Sequence, residues 1–202
     1  MKAGQRAGAK PSTRESILAA AVEEFVLHGL SGARLEHVAA RAGCNKALVY
    51  RHFGDRDNLF REALKSQFEH RAALLDTLPQ TLPELLDWWS RATLRDERFV
   101  RMILRESLDY AGGEPVESGS REEYYRRQVA MIDAMKAEGR IAKDFDAQVL
   151  FLALLGVISL PAVMPQIASL VTGLEVDSPE FLARWRTGME TLASRLAPRS
   201  ED

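Results

Sequence analysis

Residues 34–59 read RLEHVAARAGCNKALVYRHFGDRDNL, and this stretch decides the fold. Leu35, Val38, Ala39 and Ala42 recur at helical spacing, Gly43 follows, and a second short helical pattern runs through Leu48, Val49 and Phe53. Glycine takes the left-handed backbone conformation that lets a chain reverse sharply, so the pattern predicts two short helices joined by a tight turn, a helix-turn-helix over about 34–53. Asn45 is placed to cap the second of these helices, and Cys44 reads as a small buried apolar residue in the turn. An α-helix fits the major groove, and here Lys46, Tyr50, Arg51 and His52 fall within seven residues, flanked by Arg41 and Arg56. Any one of these cations is what a solvated helix also carries; the cluster on this helix is what points to nucleic acid.

Working outward, Ser12 and Glu15 have capping-box spacing, so a helix of about 16 residues is predicted to start there and to stop at Gly29. Its apolar face is Ile17, Leu18, Ala21, Val22, Phe25 and Val26. Asp55 is placed to cap a fourth helix with Leu59, Phe60, Ala63, Leu64 and Phe68 inward. Beyond it the pattern predicts helices at about 83–94, 97–110, 120–138, 146–170 and 178–196, with AGGEPVESGS as a loop and no strand. The expected fold is all-α, about nine helices. It divides into a basic arm (1–11), a DNA-binding domain (12–58), a larger helical domain for effector binding and dimerisation (59–197), and a tail (198–202).

The net charge of −2 is unevenly spread: the first 65 residues hold 11 Lys or Arg against 7 Asp or Glu, the remainder 16 against 22. A basic end on an acidic body suits phosphate binding, although modest imbalance is common in proteins that bind nothing. With one cysteine there is no intrachain disulfide and no thiolate pair for zinc; no metal or cofactor is expected. The arm, with Lys2, Arg6, Lys10 and Arg14, lacks the apolar core of a secretory signal, and the apolar run from Val149 to Met164 is too short to span a bilayer and contains Pro161. The expectation is a cytoplasmic protein with no membrane partner, its arm either reaching a minor groove or hanging free.

Four segments, FVLHGL, EHVAARAG, NKALVYRHF and GDRDNLF, in this order and spacing, resemble the TetR family of transcriptional regulators. The resemblance implies a homodimeric regulator, by default a repressor, that binds a palindromic operator in double-stranded DNA and is released by a small-molecule effector. It further implies that Lys46, Tyr50 and His52 hold phosphates while Ala47, Leu48 and Arg51 face the groove. Arg51 can donate two hydrogen bonds to guanine, and Leu48 can meet a thymine methyl. Arg56 would touch the backbone. Two positions depart from the family pattern: Ala33 stands where a hydroxyl usually caps the second helix, leaving Ser31 as an imperfect substitute, and Arg34 follows as an additional base or phosphate contact.

For the larger domain the expected effector pocket takes Trp88, Trp89, Met102, Tyr110, Tyr124, Met131 and Met135, residues that would equally serve as plain core; they suggest an apolar or planar effector. The expected dimer seam joins the apolar helix from about Ala147 to Leu170 with the last helix, through Ala153, Gly156, Leu160, Trp185, Met189 and Leu192. Pro161 and Pro165 are expected to bend that helix. An enzyme is the rival class, yet there is no zinc-protease pair, phosphate-cradling loop or nucleophile elbow. A helical ligand-binding protein without specific DNA binding is the other rival.

Overall fold

The computed structural model describes residues 11–109, 115–116 and 118–198. They form ten α-helices and no strand: α1 Thr13–Gly32, α2 Leu35–Arg41, α3 Lys46–Phe53, α4 Arg56–Ala72, α5 Leu82–Arg95, α6 Arg98–Asp109, α7 Ser118–Ala137, α8 Ala147–Val163, α9 Pro165–Thr172 and α10 Pro179–Leu196, with one 3-10 turn at Leu75–Thr77. The chain packs as two compact units that divide after Ser66. The expected boundary at residue 58 and the observed one both fall in α4, but the observed one comes later, because Leu59, Phe60, Ala63 and Leu64 are buried within the first unit, where Phe60 meets Phe25 of α1 edge to face at 5.0 Å.

In the first unit the local signals act as their chemistry requires. Ser12 and Glu15 close a reciprocal capping box, the Glu15 amide donating to Ser12 Oγ at 3.2 Å and the Ser12 amide to Glu15 Oε2 at 2.7 Å. Hydrogen bonding of the ionised carboxylate by Ser12, first by its amide and then by its hydroxyl, holds the Glu15 carboxyl below its usual range. At Gly29 the backbone leaves the helical region with φ +67°, which ends the straight part of α1 before a short turn that completes it. Gly43, at φ +69°, makes the reversal between α2 and α3.

The second unit is a bundle whose core joins Leu82, Leu85 and Leu86 of α5, Ile132 and Met135 of α7, Leu150, Phe151, Leu154 and Ile158 of α8, and Met189, Ala193 and Leu196 of α10. Glu106 and Arg121, both nearly buried, tie α6 to α7 at 2.7 Å, and the Val116 amide donates to the same carboxylate at 2.7 Å. The single helix expected over 146–170 is two, and this raises the helix count from nine to ten. α8 continues through Pro161, then the chain turns by 90° at Met164, where Pro165 supplies the first residue of α9. No single helix among the described residues is long and apolar enough to cross a membrane.

Candidate nucleic-acid interface and ligand cavity

α3 is short because its two ends are chemically marked. Asn45 caps it, its side-chain oxygen accepting the Leu48 amide at 2.9 Å, and Gly54, at φ +78°, ends it. Val49 and Phe53 are buried and fix the helix to its unit; Lys46, Ala47, Tyr50, Arg51 and His52 are exposed, while Leu48 is half-buried. Lys46 pairs with Glu36 of α2 and lies 5.6 Å from the Tyr50 ring. The pair holds the Lys46 ammonium above and the Glu36 carboxyl below their usual values. Arg51, among the described residues, has no ion pair or hydrogen bond of its side chain. Arg56 is more restrained than expected, donating to the Ser31 carbonyl at 3.2 Å and standing 3.7 Å from Asp57. Arg34, Lys46, Tyr50 and Arg56 share the wall of one shallow groove.

The entry to α2 differs from the expectation. Arg34 is its N-cap and uses no side chain; nor does Ser31 cap it, since Ser31 lies in the last turn of α1. The orphan amide of Arg34 donates instead to the buried carboxylate of Glu24, ten residues back, at 3.1 Å. The Arg34 side chain stays exposed. Cys44, expected to be buried, is half-buried. Lys2, Arg6 and Lys10 of the arm lie outside the described residues.

The second unit encloses a cavity of about 150 Å³ between the end of α4, α5, α6, α7 and α8. A space of this order accepts a ligand of roughly benzene size. Of the residues named for a pocket, Trp88, Trp89 and Tyr124 line this cavity; Met102 and Met135 do not, being fully enclosed among neighbouring helices, and Met131 packs half-buried against the core. Tyr110 lies outside the described residues. The lining residues that sequence reasoning missed include Arg71, Phe99, Tyr125, Gln128 and Phe151. Arg71 is the one cation among the described lining residues, on a wall that is mostly apolar and aromatic with Thr93, Gln128 and Ser159 as neutral polar groups. Its guanidinium stacks over Phe99, 4.1 Å from the ring centre; no described carboxylate is in ion-pair contact with it, the charge of Asp96 acting on it only from further off, and burial draws its pKa below the usual guanidinium value. Burial raises the Tyr124 and Tyr125 phenols, which therefore remain neutral hydrogen-bond donors.

Of the residues expected at a seam between subunits, Ala153, Gly156 and Leu160 are exposed on α8, and a side chain added at Gly156 would meet only open space. Met189 is buried in the core of its own chain. Trp185 stacks on Phe181 at 5.7 Å and donates from its indole nitrogen to Ser90 at 3.3 Å, and Leu192 packs against the same core. Apart from the exposed Leu182, the large apolar side chains of α10 thus face inward, because one helix has a single apolar stripe and the chain's own core takes it. The outward face of α10 is largely polar, and Thr187, Gly188 and Thr191 form a small-residue stretch on it.

Two family models account for most of this architecture. One, for bacterial regulatory proteins of the tetR family, matches residues 17–63, and the other, for the tetracyclin repressor-like C-terminal domain, matches residues 82–195. The chain belongs to the TetR family. TetR-family relatives include the HTH-type transcriptional repressor SCO4008 of Streptomyces coelicolor, 28% identical over 80% of this chain and 84% of that protein. The HTH-type transcriptional repressor NicS of Pseudomonas putida is 32% identical over 53% of this chain and 54% of its own length. In fold, the chain is similar to the ketosteroid transcriptional regulator KstR2 of Mycobacterium tuberculosis (TM-score 0.67, 16% identity, 96% of this chain and 100% of that one). It is likewise similar to the Streptomyces coelicolor protein SCO4942 (TM-score 0.75, 22% identity, 93% and 99%). This TetR-family chain is therefore a DNA-binding transcriptional regulator, and the helix-turn-helix formed by α2 and α3 is its family's DNA-binding element.

Proposed function

We propose that the protein is a ligand-responsive repressor that binds a near-palindromic operator as a homodimer and leaves it when a small effector fills the cavity of the second unit. The observation that carries the DNA half of this reading is the exposed, unpaired Arg51 on α3, in one short row with Lys46, Tyr50 and His52. Its guanidinium matches the O6/N7 edge of guanine, while Lys46 exchanges Glu36 for a phosphate and Tyr50 and His52 hold the backbone beside it. Arg34, Asn45, Ala47, Leu48 and Arg56 complete the proposed interface. A two-fold dimer sets two α3 helices about 34 Å apart, one turn of DNA.

The dimer reading is supported by the outer face of α8, where Val149 and Leu152 are 65% and 64% exposed beside Ala153, Gly156 and Leu160. An apolar row of this kind needs a cover. A second copy supplies it, α8 and the small-residue face of α10 packing on their two-fold mates. For the effector, a ring-sized cavity with one unpaired guanidinium favours an apolar or planar body carrying an acidic group towards Arg71. α4 supplies the link: Leu59, Phe60 and Leu64 belong to the DNA-binding core, and Arg71, two turns on from Leu64, lines the cavity. An effector that prefers one setting of α4 shifts the DNA-binding population.

The test selects genomic fragments with the purified protein, then measures mobility shifts with the enriched sequence at two salt concentrations. A palindrome whose affinity falls with salt is expected. Retention of random fragments alone would leave the ligand-binding protein without specific DNA binding as the better reading. Ring-bearing carboxylic acids and their neutral amides are then compared for operator release, with the acids expected to act and Arg71→Met to erase the difference.

A further inference from the structure

Glu24 lies on the buried side of α1, where its neighbours Ala20, Ala21 and Phe25 are apolar, and it is only 1% exposed. One carboxylate oxygen, Oε1, is engaged twice, by the Arg34 amide at 3.1 Å and by His37 Nδ1 at 3.1 Å. The other, Oε2, is buried with no hydrogen-bond partner. A buried carboxylate oxygen without a donor or cation is costly, and native proteins rarely keep one. One turn further along α1, His28 places Nε2 4.0 Å from the same carboxylate, and the His28 and His37 rings stand 6.4 Å apart. One ligand atom from each of Glu24, His28 and His37 lies within 4.8 Å of the others. Capping of α2 accounts for the Arg34 amide on Oε1, but neither for two imidazoles converging on that same oxygen nor for the bare Oε2 beside it.

We propose that Glu24, His28 and His37 form a binding site for a divalent first-row transition-metal ion in the DNA-binding unit, clasping α1 to α2. Two imidazole nitrogens and one carboxylate oxygen are donors suited to Zn²⁺, Co²⁺, Ni²⁺ or Cu²⁺ rather than to Mg²⁺ or Ca²⁺, which prefer all-oxygen sets. Three ligands about 2.1 Å from one tetrahedral ion sit about 3.4 Å apart, so the cluster must contract by about 1 Å or a little more at its widest. The side chains of His28 and His37, 47% and 51% exposed, are free to swing that far, whereas the buried Glu24 supplies the fixed point. The exposed side leaves the fourth position to water. Because α2 is the first helix of the helix-turn-helix, the ion would hold the element that positions α3.

The test uses full-length, tag-free protein stripped with a chelator and titrated with Co²⁺, followed by visible absorption, and with Zn²⁺, followed by calorimetry and thermal denaturation. One ion per chain is expected, with a rise in melting midpoint of about 5–10 °C at an ion concentration a hundred times Kd. His28→Ala and His37→Ala should each weaken binding at least about tenfold, and the double variant should abolish it. His70→Ala, outside the cluster, should leave it unchanged, and Glu24→Gln, which still accepts the Arg34 amide, should weaken binding while keeping the native circular dichroism. Failure to bind either ion at 100 µM, or binding that the double variant retains while folded, overturns the proposal.

Discussion

Replacing Leu152 by alanine tests the proposed dimer seam at its most informative point. Leu152 is 64% exposed within its own chain, so nearly two thirds of its side chain remains to be covered by a partner. Burying a whole leucine stabilises by about 1.5–3 kcal/mol, which leaves about 1–2 kcal/mol per copy. A two-fold seam uses each residue twice, so the pair contributes about 2–4 kcal/mol, and alanine forfeits most of it, about 1.5–3 kcal/mol. The dimer Kd should therefore rise about 10- to 150-fold. Within the monomer the side chain covers little, so the chain itself should lose no more than about 0.5 kcal/mol. Sedimentation equilibrium over a concentration series reads the first number and urea denaturation of dilute protein the second. Leu108→Ala, on α6 and 65% exposed, is the control and should leave the dimer unchanged. A Leu152→Ala dimer within threefold of the parent Kd would refute the seam on α8 and with it the predicted spacing of the recognition helices.

Four further outcomes test α3 with its cap and the tie between α6 and α7. Lys46→Ala should weaken binding to specific and random DNA alike and flatten the salt slope by about one, whereas Arg51→Ala should relax preference at one base pair per half-site, at a cost of about 1–3 kcal/mol in competition mobility shifts. Asn45→Ala removes the α3 cap and should cost about 1 kcal/mol of stability in chemical denaturation, with the first unit loosened before the second. Glu106→Gln leaves the nearly buried Arg121 guanidinium facing a neutral amide; a loss approaching 3 kcal/mol, about 6–12 °C in melting midpoint by calorimetry, is expected, and a shift under 2 °C would mean that the pair is not a structural tie.

What the sequence settled by itself was whatever depends on near neighbours in the chain. Helix periodicity, the Ser12–Glu15 capping box, the Asn45 cap and the glycine reversal at Gly43 are local hydrogen-bonding and backbone preferences, and they were legible as a helix-turn-helix before any tertiary contact was known. The exposed row on α3 was legible for the same reason: Val49 and Phe53 occupy the inward face, which leaves Lys46, Tyr50, Arg51 and His52 outside. What only the tertiary structure decided depends on groups far apart in sequence. Tyr124 and Tyr125 point about 100° apart on an ideal helix, so periodicity cannot tell that both line one cavity, and Arg71 reads as an ordinary surface cation until Phe99 and the surrounding helices desolvate it. Met189 and Trp185 read as seam residues in the sequence; the packing of α10 against α5 turns them towards the chain's own core. Glu24 reads as a polar residue facing away from the apolar stripe of α1. The amide of Arg34 and the ring of His37, brought to it by the turn between α1 and α2, engage its side chain inside the unit. Desolvation and pairing are through-space quantities, and the chain's order alone does not contain them.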